Sequence, residues 1–564
     1  MKHVMLKKMI GVPMAAVMLV SLAACGDKGQ EVTPAVTAAD GPMGAYEQTL
    51  LCGLGKTTQI NPRMPDGDTY ENNAYTRYLK DRLNIEVSDV FEANGDDYDR
   101  QVALAIASGE LPDIMRVPTK DVLDELVEND LVADLTDVYD QYASDYIKEV
   151  YDTFNGRSLD EVTYDGKLMA LPGTNGDSAP CEVFIRQDWL DALGMQVDAD
   201  GDGCLTVDEV GTIAKTFIDK DPGQSGNPVG MAFSPTLVSN DYGLSGHSMM
   251  AISSAYNAFP SSWLTDENGT VYNGTATDNM KEALAKLAQW YQEGIVDPQF
   301  GTRTGDDIIT LLTNGQLGVA FGPWHMPDWL LGNVRAMDAD AQFSVFTICN
   351  DQGKVNAIHA KATSDYMVVR KGYSNPEALI KMANLFFDEI PNNKNLAVDA
   401  PEVSEYLSAV DNTTMPIQVG IYKATSLLDD YSDIKKCVNG EITIDEVRNT
   451  GSRAAVQNIQ NYLADPVGSD ASGWAMNISR MGGLELMSKL TENGTFAWTT
   501  PAFYDMTETM KTNQVDLDKL QEETFVAIVT GAKPIDAFDT FVTDWMARGG
   551  EQITKEVNEL VSNG

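Results

Sequence analysis

The sequence predicts an α/β protein, because short apolar runs alternate with longer segments of helical period and few hairpin patterns occur. The clearest helix is near the carboxyl terminus, where the apolar residues follow the spacing of one buried helix face: Phe538, Phe541, Val542, Trp545 and Met546. No internal repeat is visible. At 564 residues, the chain has enough material for two or more domains.

The elements of the first half follow this alternation in order. A first strand is predicted at 49–54, before a loop rich in Gly, Pro and Asp, and a second strand at 85–91. Helical patterns occur at 73–83, 97–107, 120–127, 280–291 and 376–387.

The amino terminus has the pattern of a secretory signal peptide. Lys2, Lys7 and Lys8 precede an apolar run at 9–22, which is shorter than the roughly 20 residues that a membrane-spanning helix needs. The run ends in Leu-Ala-Ala-Cys at 22–25, which looks like a bacterial lipobox. We therefore expect residues 1–24 to be removed and Cys25 to be acylated, for example with palmitate. The alternative is an ordinary signal peptide with an incidental cysteine.

Residues 25–44 lack aromatic residues and periodicity, which predicts a flexible tether between the lipid and the folded protein. Several acyl chains hold a protein at a membrane surface much longer than one chain does. We expect a protein on the extracytoplasmic face of the cell membrane, held there only by its lipid anchor.

The strongly acidic composition limits the partners. Forty Lys and Arg residues against 84 Asp and Glu residues give a formal net charge of −44, so nucleic acid is a poor partner. The charge is spread along the chain, as on a well-solvated surface, and it leaves many carboxylates for calcium.

The cysteines show no metal or redox motif. Cys52, Cys181, Cys204, Cys349 and Cys437 lie far apart without CxxC spacing. Isolated buried thiols are therefore the expected state of all five, and a disulfide framework or zinc site is not expected.

Six segments together resemble the solute-binding lipoproteins of carbohydrate ABC transporters, in the branch that includes alginate-binding proteins and, more remotely, maltose-binding protein. They are SGELPDIM (108–115), YDGKLMALP (164–172), IRQDWLDALG (185–194), NGQLGVAFGPW (314–324), YSNPEALIKMANLFF (373–387) and the carboxy-terminal stretch 531–560. Each motif alone is weak, but their order and spacing extend over nearly the whole mature chain.

The resemblance implies a two-lobed fold of the periplasmic-binding-protein type (type II), with a hinge and a cleft between the lobes. By this analogy residues 45–172 and 350–440 form the amino-terminal lobe, and residues 173–349 and 441–564 the carboxy-terminal lobe. It also implies an extracytoplasmic receptor that captures an oligosaccharide for ABC-transporter permease subunits, acts as a monomer and is not an enzyme.

A sugar ring presents a C–H face and a rim of hydroxyls, so its site needs an aromatic platform and planar polar groups. Trp324 is the leading candidate, because the resemblance places the GPW segment at the cleft. Trp474 and Trp498 lie in Gly- and Thr-rich stretches without periodicity. Core packing is the alternative for all three.

Polar contacts to a ligand are predicted in two segments. Arg186 and Asp188 are candidates in the second lobe, although Asp188 is better explained as a helix N-cap. In the first lobe, Arg63, Asp68 and Tyr70 are candidates because they follow the first strand at its carboxyl end.

The motif DADGDGCLTVDE at 198–209 fits the EF-hand calcium loop. The template positions are filled by Asp198, Asp200, Asp202, Gly203 at the turn, Cys204 through its carbonyl, Thr206 and Glu209. A cation would offset the repulsion among the carboxylates, so a structural Ca²⁺ site is predicted. Only one such loop is present, whereas a dockerin module needs two.

Two other function classes remain open. A glycoside hydrolase needs two opposed carboxylates, but 84 acidic residues make such a pair uninformative. No GxSxG, HExxH or Walker motif occurs. A surface adhesin is the third class, and the sequence leaves the identity and charge of the sugar open, or an oligopeptide in its place.

Overall fold

The computed structural model describes residues 36–37, 40–177, 180–234, 236–238 and 247–563. The predicted signal peptide (1–24), Cys25 and most of the predicted tether lie outside these ranges. Within the described part of the chain, no helix combines the length and the apolar character needed to cross a membrane.

The strands occur in short runs between helices. They are Leu50–Thr58 (β1), Ile85–Asn94 (β2), Ile114–Val117 (β3), Thr163–Tyr164 (β4), Lys167–Leu168 (β5), Leu171–Thr174 (β6), Glu182–Arg186 (β7), Cys204–Leu205 (β8), Trp263–Thr265 (β9), Val271–Asn273 (β10), Val319–Gly322 (β11), Phe343–Ile348 (β12), Val355–Ile358 (β13), Thr363–Val369 (β14) and Phe496–Thr499 (β15).

The α-helices are Ala74–Leu83, Asp96–Ser108, Lys120–Glu128, Thr136–Tyr142, Asp145–Asp152, Arg157–Asp160, Gln187–Leu193, Val207–Lys220, Met250–Ala255, Asp278–Gln292, Gly305–Thr313, Gly332–Met337, Glu377–Asn384, Ile390–Asn392, Leu396–Asp399, Pro401–Ala409, Ser426–Val438, Thr450–Ala464, Ala471–Ile478, Glu485–Glu492, Glu508–Val529, Ala537–Trp545 and Glu551–Asn563. Every helix predicted from periodicity is confirmed to within a few residues, because each has an apolar face that the fold buries.

The first sheet has the strand order β2-β1-β3-β14-β6. Strands β1, β2 and β3 are parallel, whereas β14 is antiparallel to β3 and β6. Leu50, Cys52 and Leu54 alternate along β1 and join a core that extends from Tyr46 to Leu171 and from Tyr366 to Ile421. This core defines one lobe.

The second sheet has the order β11-β7-β12-β8. Strand β7 is buried along its whole length between antiparallel β11 and β12, and the short β8 runs parallel to the end of β12. Its core joins residues 181–348 to the carboxy-terminal helices through Met510, Phe525 and Trp545. The fold is therefore mixed α/β with two lobes, as predicted.

Three segments lie side by side where the chain passes between the two cores. The Thr174 N–H donates to the carbonyl of Gly420 at 2.8 Å, and the Asn175 N–H donates to the carbonyl of Ala362 at 2.9 Å. The first segment begins at the last residue of β6, the second lies between β13 and β14, and the third begins where the first core ends, at Ile421. We call this region the junction (residues 174–177, 359–362 and 420–425).

Candidate functional site

Trp498 lies beside the junction. Strand β15, which carries it, pairs with β13 in parallel, so that Trp498 is opposite Ala357. The indole is 37% exposed and stacks on the imidazole of His359, with ring centroids 4.6 Å apart and ring planes within 10°. An indole in this position offers a flat apolar surface where two lobes meet.

A polar network fixes the His359 ring. Its Nδ1 lies 2.7 Å from an oxygen of Asp177, whose other oxygen accepts from the Ala360 N–H at 3.0 Å. The Tyr504 hydroxyl donates to the carbonyl of His359 at 3.1 Å, and the Arg157 guanidinium lies 3.6 Å from Asp177. Sequence reasoning missed these contacts, because no local pattern links residues this far apart in the chain.

Trp324 follows β11 and is half-buried. Its indole packs against Tyr431, Leu484 and Met487, and the Arg480 guanidinium lies 5.2 Å from the centre of its ring. Phe496 contacts the same cluster, and its ring lies 5.3 Å from that of Trp498. The structure therefore brings the neighbourhoods of two predicted platforms together.

Glu182 is buried close to Trp324. A methyl group on Gly483 would lie 2.7 Å from a Glu182 carboxyl oxygen and 3.2 Å from the Trp324 Cβ, so glycine permits this close approach. Desolvation raises the pKa of Glu182 well above its usual range, and its Oε2 has no hydrogen-bond partner among the described residues.

Trp474 is a core residue, so its prediction as a ligand platform is wrong. Its side chain is 1% exposed, packs on Phe343 and donates from Nε1 to Gln342 at 3.2 Å. The Gly-rich surroundings suggested a loop, but the residue lies in the helix Ala471–Ile478.

Arg186 and Asp188 serve the structure of the second lobe instead of facing a ligand. Arg186 is 3% exposed and forms two hydrogen bonds to Asp188, at 2.8 and 2.6 Å, and one to Asp338 at 2.7 Å. Its guanidinium also lies 4.7 Å from the ring centre of Trp189. The expected N-cap is wrong as well, because the helix begins at Gln187 with Arg186 at the cap position.

The three ligand-binding candidates of the first lobe differ in their exposure and in their hydrogen-bond partners. Asp68 accepts from Arg77 at 3.0 Å and from the Tyr406 hydroxyl, and these bonds lower its pKa although burial opposes them. Tyr70 is buried, and its hydroxyl accepts from the Gln59 N–H at 2.8 Å. Both therefore hold the loop in place, whereas Arg63 is exposed with a φ of 58°.

A pocket of about 500 Å³ lies at the carboxyl ends of β1 and β2. We call it the sheet-edge pocket. It is lined by Thr57, Thr58, Gln59, Asn94, Gly95, Arg116, Asp365, Phe387, Asn412, Thr413, Met415, Ile417, Gln418, Val419, Gly420 and Tyr422. Ligands of open α/β sheets bind at such an edge. The sequence argument named Asp68 and Tyr70 at this edge, but neither residue lines the pocket.

Three carboxylates of the predicted calcium loop lie together. One oxygen each of Asp198, Asp200 and Asp202 falls within 4.8 Å of the others. Desolvation raises the pKa of Asp198, the Gly203 N–H lowers it, and the charges of Asp202 and Asp200 raise it again. A hard cation with oxygen ligands would suit this donor set.

The end of the loop has a second function. The Glu209 carboxylate accepts from the Thr206 N–H at 2.8 Å and from its hydroxyl at 2.9 Å, which forms a capping box on the helix Val207–Lys220. Cys204 forms a disulfide with Cys349, whereas Cys52 and Cys437 are free and buried. The expectation of five isolated thiols is therefore wrong for this pair.

Comparison with known proteins identifies the family. A family model described as bacterial extracellular solute-binding protein matches residues 73–378. Among curated sequences, an uncharacterized protein in the butB 5′ region of Niallia circulans is 39% identical over 51 residues. This match covers 9% of the chain and 20% of that relative, so the chain matches only about a fifth of its length.

Solved structures share the fold at low sequence identity. An HMO-binding, ABC-transporter-associated solute-binding protein from Bifidobacterium longum infantis has a TM-score of 0.56 and 15% identity, covering 91% of this chain and 98% of that one. The alginate-binding protein AlgQ2, solved without calcium ion, has a TM-score of 0.51 and 17% identity, covering 92% and 98%. An EF-hand mutant of the S. pneumoniae substrate-binding protein FusA, in complex with fructo-nystose, has a TM-score of 0.51 and 13% identity, covering 91% and 99%.

The family match covers more than half of the chain, and the two-lobed α/β fold agrees with it. The chain belongs to the bacterial extracellular solute-binding proteins.

Proposed function

We propose that this protein captures an oligosaccharide between its two lobes and delivers it intact to the permease of an ABC importer. The observation that carries the proposal is the partly exposed indole of Trp498, held against His359 at the junction. Family membership supports a binding role, and the structural relatives named above include proteins whose descriptions name HMO, alginate and fructo-nystose.

Closure of the lobes is the proposed mechanism of capture. Residues of the junction would absorb the change in backbone angles, and the ligand would lose its water as both lobes close on it. Trp498 and Trp324 would then contact the C–H faces of sugar rings. Because burial favours the protonated form of the Glu182 carboxyl next to Trp324, this group would donate a hydrogen bond rather than bind a cation.

We propose that the chain crosses from one lobe to the other at the junction. The sequence argument set the boundaries at 172, 349 and 440. The core contacts favour 359–362 for the second crossing, since β14 belongs to the first sheet. They favour 422–425 for the third crossing, because the first core ends at Ile421 and Tyr431 packs with Leu484 and Met487.

A structural calcium ion is part of the proposal. Asp198, Asp200 and Asp202 would hold it, with the carbonyl of Cys204 and the Glu209 carboxylate completing the set if Glu209 turns from its cap. Thr206 is the helix N-cap and would contribute less than the sequence template suggested. The ion would neutralise the mutual repulsion of the carboxylates.

Cys25 is proposed as the lipid anchor on the extracytoplasmic face, and the receptor is proposed to act as a monomer without enzymatic activity. The rival function is a secreted glycoside hydrolase. The two differ in the fate of the sugar, because a receptor returns its ligand unchanged and a hydrolase shortens it.

A thermal-shift screen of oligosaccharides, followed by mass spectrometry of the recovered sugar, tests the proposal. Specific binding to the folded state raises the Tm by an amount that grows with the logarithm of the ligand concentration over Kd. We expect at least one intact oligosaccharide to raise the Tm. Shortened products would identify a hydrolase, and the absence of any shift across the screen would overturn the proposed function.

A further inference from the structure

The sheet-edge pocket carries almost no net charge, although the protein is strongly acidic. Only Arg116 and Asp365 among its sixteen lining residues are charged, and they pair with each other at 2.9 Å. The remaining polar groups are amides, hydroxyls and backbone. The lining therefore presents hydrogen-bonding groups to a ligand without a free charge.

The pocket contains groups suited to hydroxyls. The side chain of Gln418 is fixed by two bonds to the backbone of Thr57, at 2.9 and 2.8 Å. The amides of Gln59 and Asn412 are exposed and have no hydrogen-bond partner within the described part of the chain. An amide offers both donors and an acceptor, which matches a sugar hydroxyl.

An aromatic surface completes the pocket. Tyr422 is 50% exposed, and its ring meets Phe387 edge to face at 5.8 Å. Residues 420–422 are also bonded to Thr174 at the junction, so the pocket begins where the lobes meet. A bound chain that reaches this pocket would therefore continue from the junction.

Positive charge around the junction is neutralised as well. Each of these cations has a carboxylate partner: Arg157 with Asp177 at 3.6 Å, Lys361 with Asp505 at 2.7 Å, Lys423 with Glu149 at 2.6 Å, and Arg480, beside Trp324, with Asp328. Lys56, which lies next to the pocket, is 1% exposed and donates to the carbonyl of Met415. A uronate carboxylate would lose its water here without gaining a free cation.

We propose that the sheet-edge pocket binds one end of an uncharged oligosaccharide, with Tyr422 as its platform and Gln59 and Asn412 as its hydroxyl ligands, and that the paired Arg116 and Asp365 exclude uronate sugars. This inference rests on the proposed function, because it specifies the ligand class of the same receptor.

Calorimetry with chemically matched ligands tests the exclusion. Maltotetraose, cellotetraose and mannotetraose are titrated first, and the tightest of them is then oxidised at C6 to its uronate form. We expect the oxidised form to bind at least about 100-fold more weakly, since its carboxylates find no partner. Raising NaCl from 50 to 500 mM should change the Kd of the neutral form by less than about twofold, because no ion pair is made.

Variants locate the effect in the pocket. Asn412→Ala and Tyr422→Ala should each weaken neutral binding by about tenfold. Gln514→Ala, on the helix Glu508–Val529 of the other lobe, is the matched control and should not change it. Asp365→Asn frees the Arg116 guanidinium and should tighten uronate binding by at least about tenfold.

The outcomes separate the two claims. If neither the neutral nor the oxidised sugars bind, the proposed function falls. If the oxidised form binds as tightly as the neutral form, only the exclusion is overturned. If sugar binds but the Asn412 and Tyr422 variants match the wild type, the pocket assignment is overturned and the receptor function stands.

Discussion

The Lys511 ammonium on the second lobe lies 2.8 Å from a carboxylate oxygen of Asp121 on the first lobe. Lys511 is on the helix Glu508–Val529, which packs in the second core, and Asp121 is at the start of the helix Lys120–Glu128, which packs in the first. This ion pair therefore bridges the lobes directly.

Lys511→Ala should shift the lobes toward a more open distribution. Both side chains are more than 40% exposed, so the pair contributes at most about 1 kcal/mol, which is about a fivefold change in the open-to-closed ratio. The inter-lobe distance distribution, measured between two spin labels, checks this in low salt. The effect should vanish in about 0.5 M NaCl.

Lys519→Ala is the matched control, because Lys519 lies on the same helix and, among the described residues, pairs only within it, with Glu523. An equal shift in this control would show that general charge, and not the bridge to Asp121, sets the distribution.

Trp498→Ala should weaken oligosaccharide binding by about 10- to 100-fold, since stacking one sugar face on an indole supplies roughly 2 to 3 kcal/mol. Trp498→Phe should retain part of the affinity because a smaller ring remains. Calorimetry gives the Kd, and thermal unfolding confirms that the variants fold. Tyr78→Ala, which removes a ring on the first lobe, is the control; full affinity in Trp498→Ala would exclude the indole as a platform.

Asp200→Asn and Glu209→Ala should separate calcium binding from helix capping. Asp200 is exposed and belongs to the carboxylate cluster, so its variant should lose the calcium-dependent rise in Tm and keep the Tm measured in chelator. Glu209→Ala also loses the capping box, and should cost about 1 kcal/mol even in chelator. If Asp200→Asn keeps the full calcium response, the loop is not the metal site.

Local patterns predicted the local features well. The helices and the three neighbouring carboxylates follow from spacings of a few residues, and the order of weak motifs predicted the two-lobed fold. Pairings distant in sequence had no such signal: Asp177 meets His359 and Cys204 meets Cys349 across 182 and 145 residues. Trp474 and Trp498 have similar flanking residues, and only packing makes one buried and the other accessible.

The disulfide joins the predicted calcium loop to the residue that follows β12. Replacing both Cys204 and Cys349 by Ser should lower the free energy of unfolding by about 2 to 4 kcal/mol, because the bond closes a long loop in the unfolded chain. It should also weaken calcium binding, since Cys204 lies within the loop. Denaturant unfolding and a calcium titration measure the two effects.

Thiol alkylation provides the independent check. In denaturant without reductant, Cys52 and Cys437 should be labelled, while Cys204 and Cys349 should react only after reduction. Labelling of Cys204 and Cys349 without reductant would show that this disulfide is absent.

The buried imidazole of His247 should lower the free energy of unfolding in mild acid. Burial lowers the pKa of its imidazole to about 4, from an unfolded value of 6.5. Between these values the unfolded chain binds the proton and the folded protein does not, so stability present above pH 6.5 is lost as the pH falls toward 4. At pH 5 the loss is about 2 kcal/mol.

His247 also has a φ of 71°, and its N–H donates to the carbonyl of Phe321 at 3.0 Å. His247→Asn tolerates this backbone conformation and does not titrate, so the difference in Tm between pH 7 and pH 5 should be smaller in the variant than in the wild type. Equal pH dependence in the two proteins would assign the acid sensitivity to other groups.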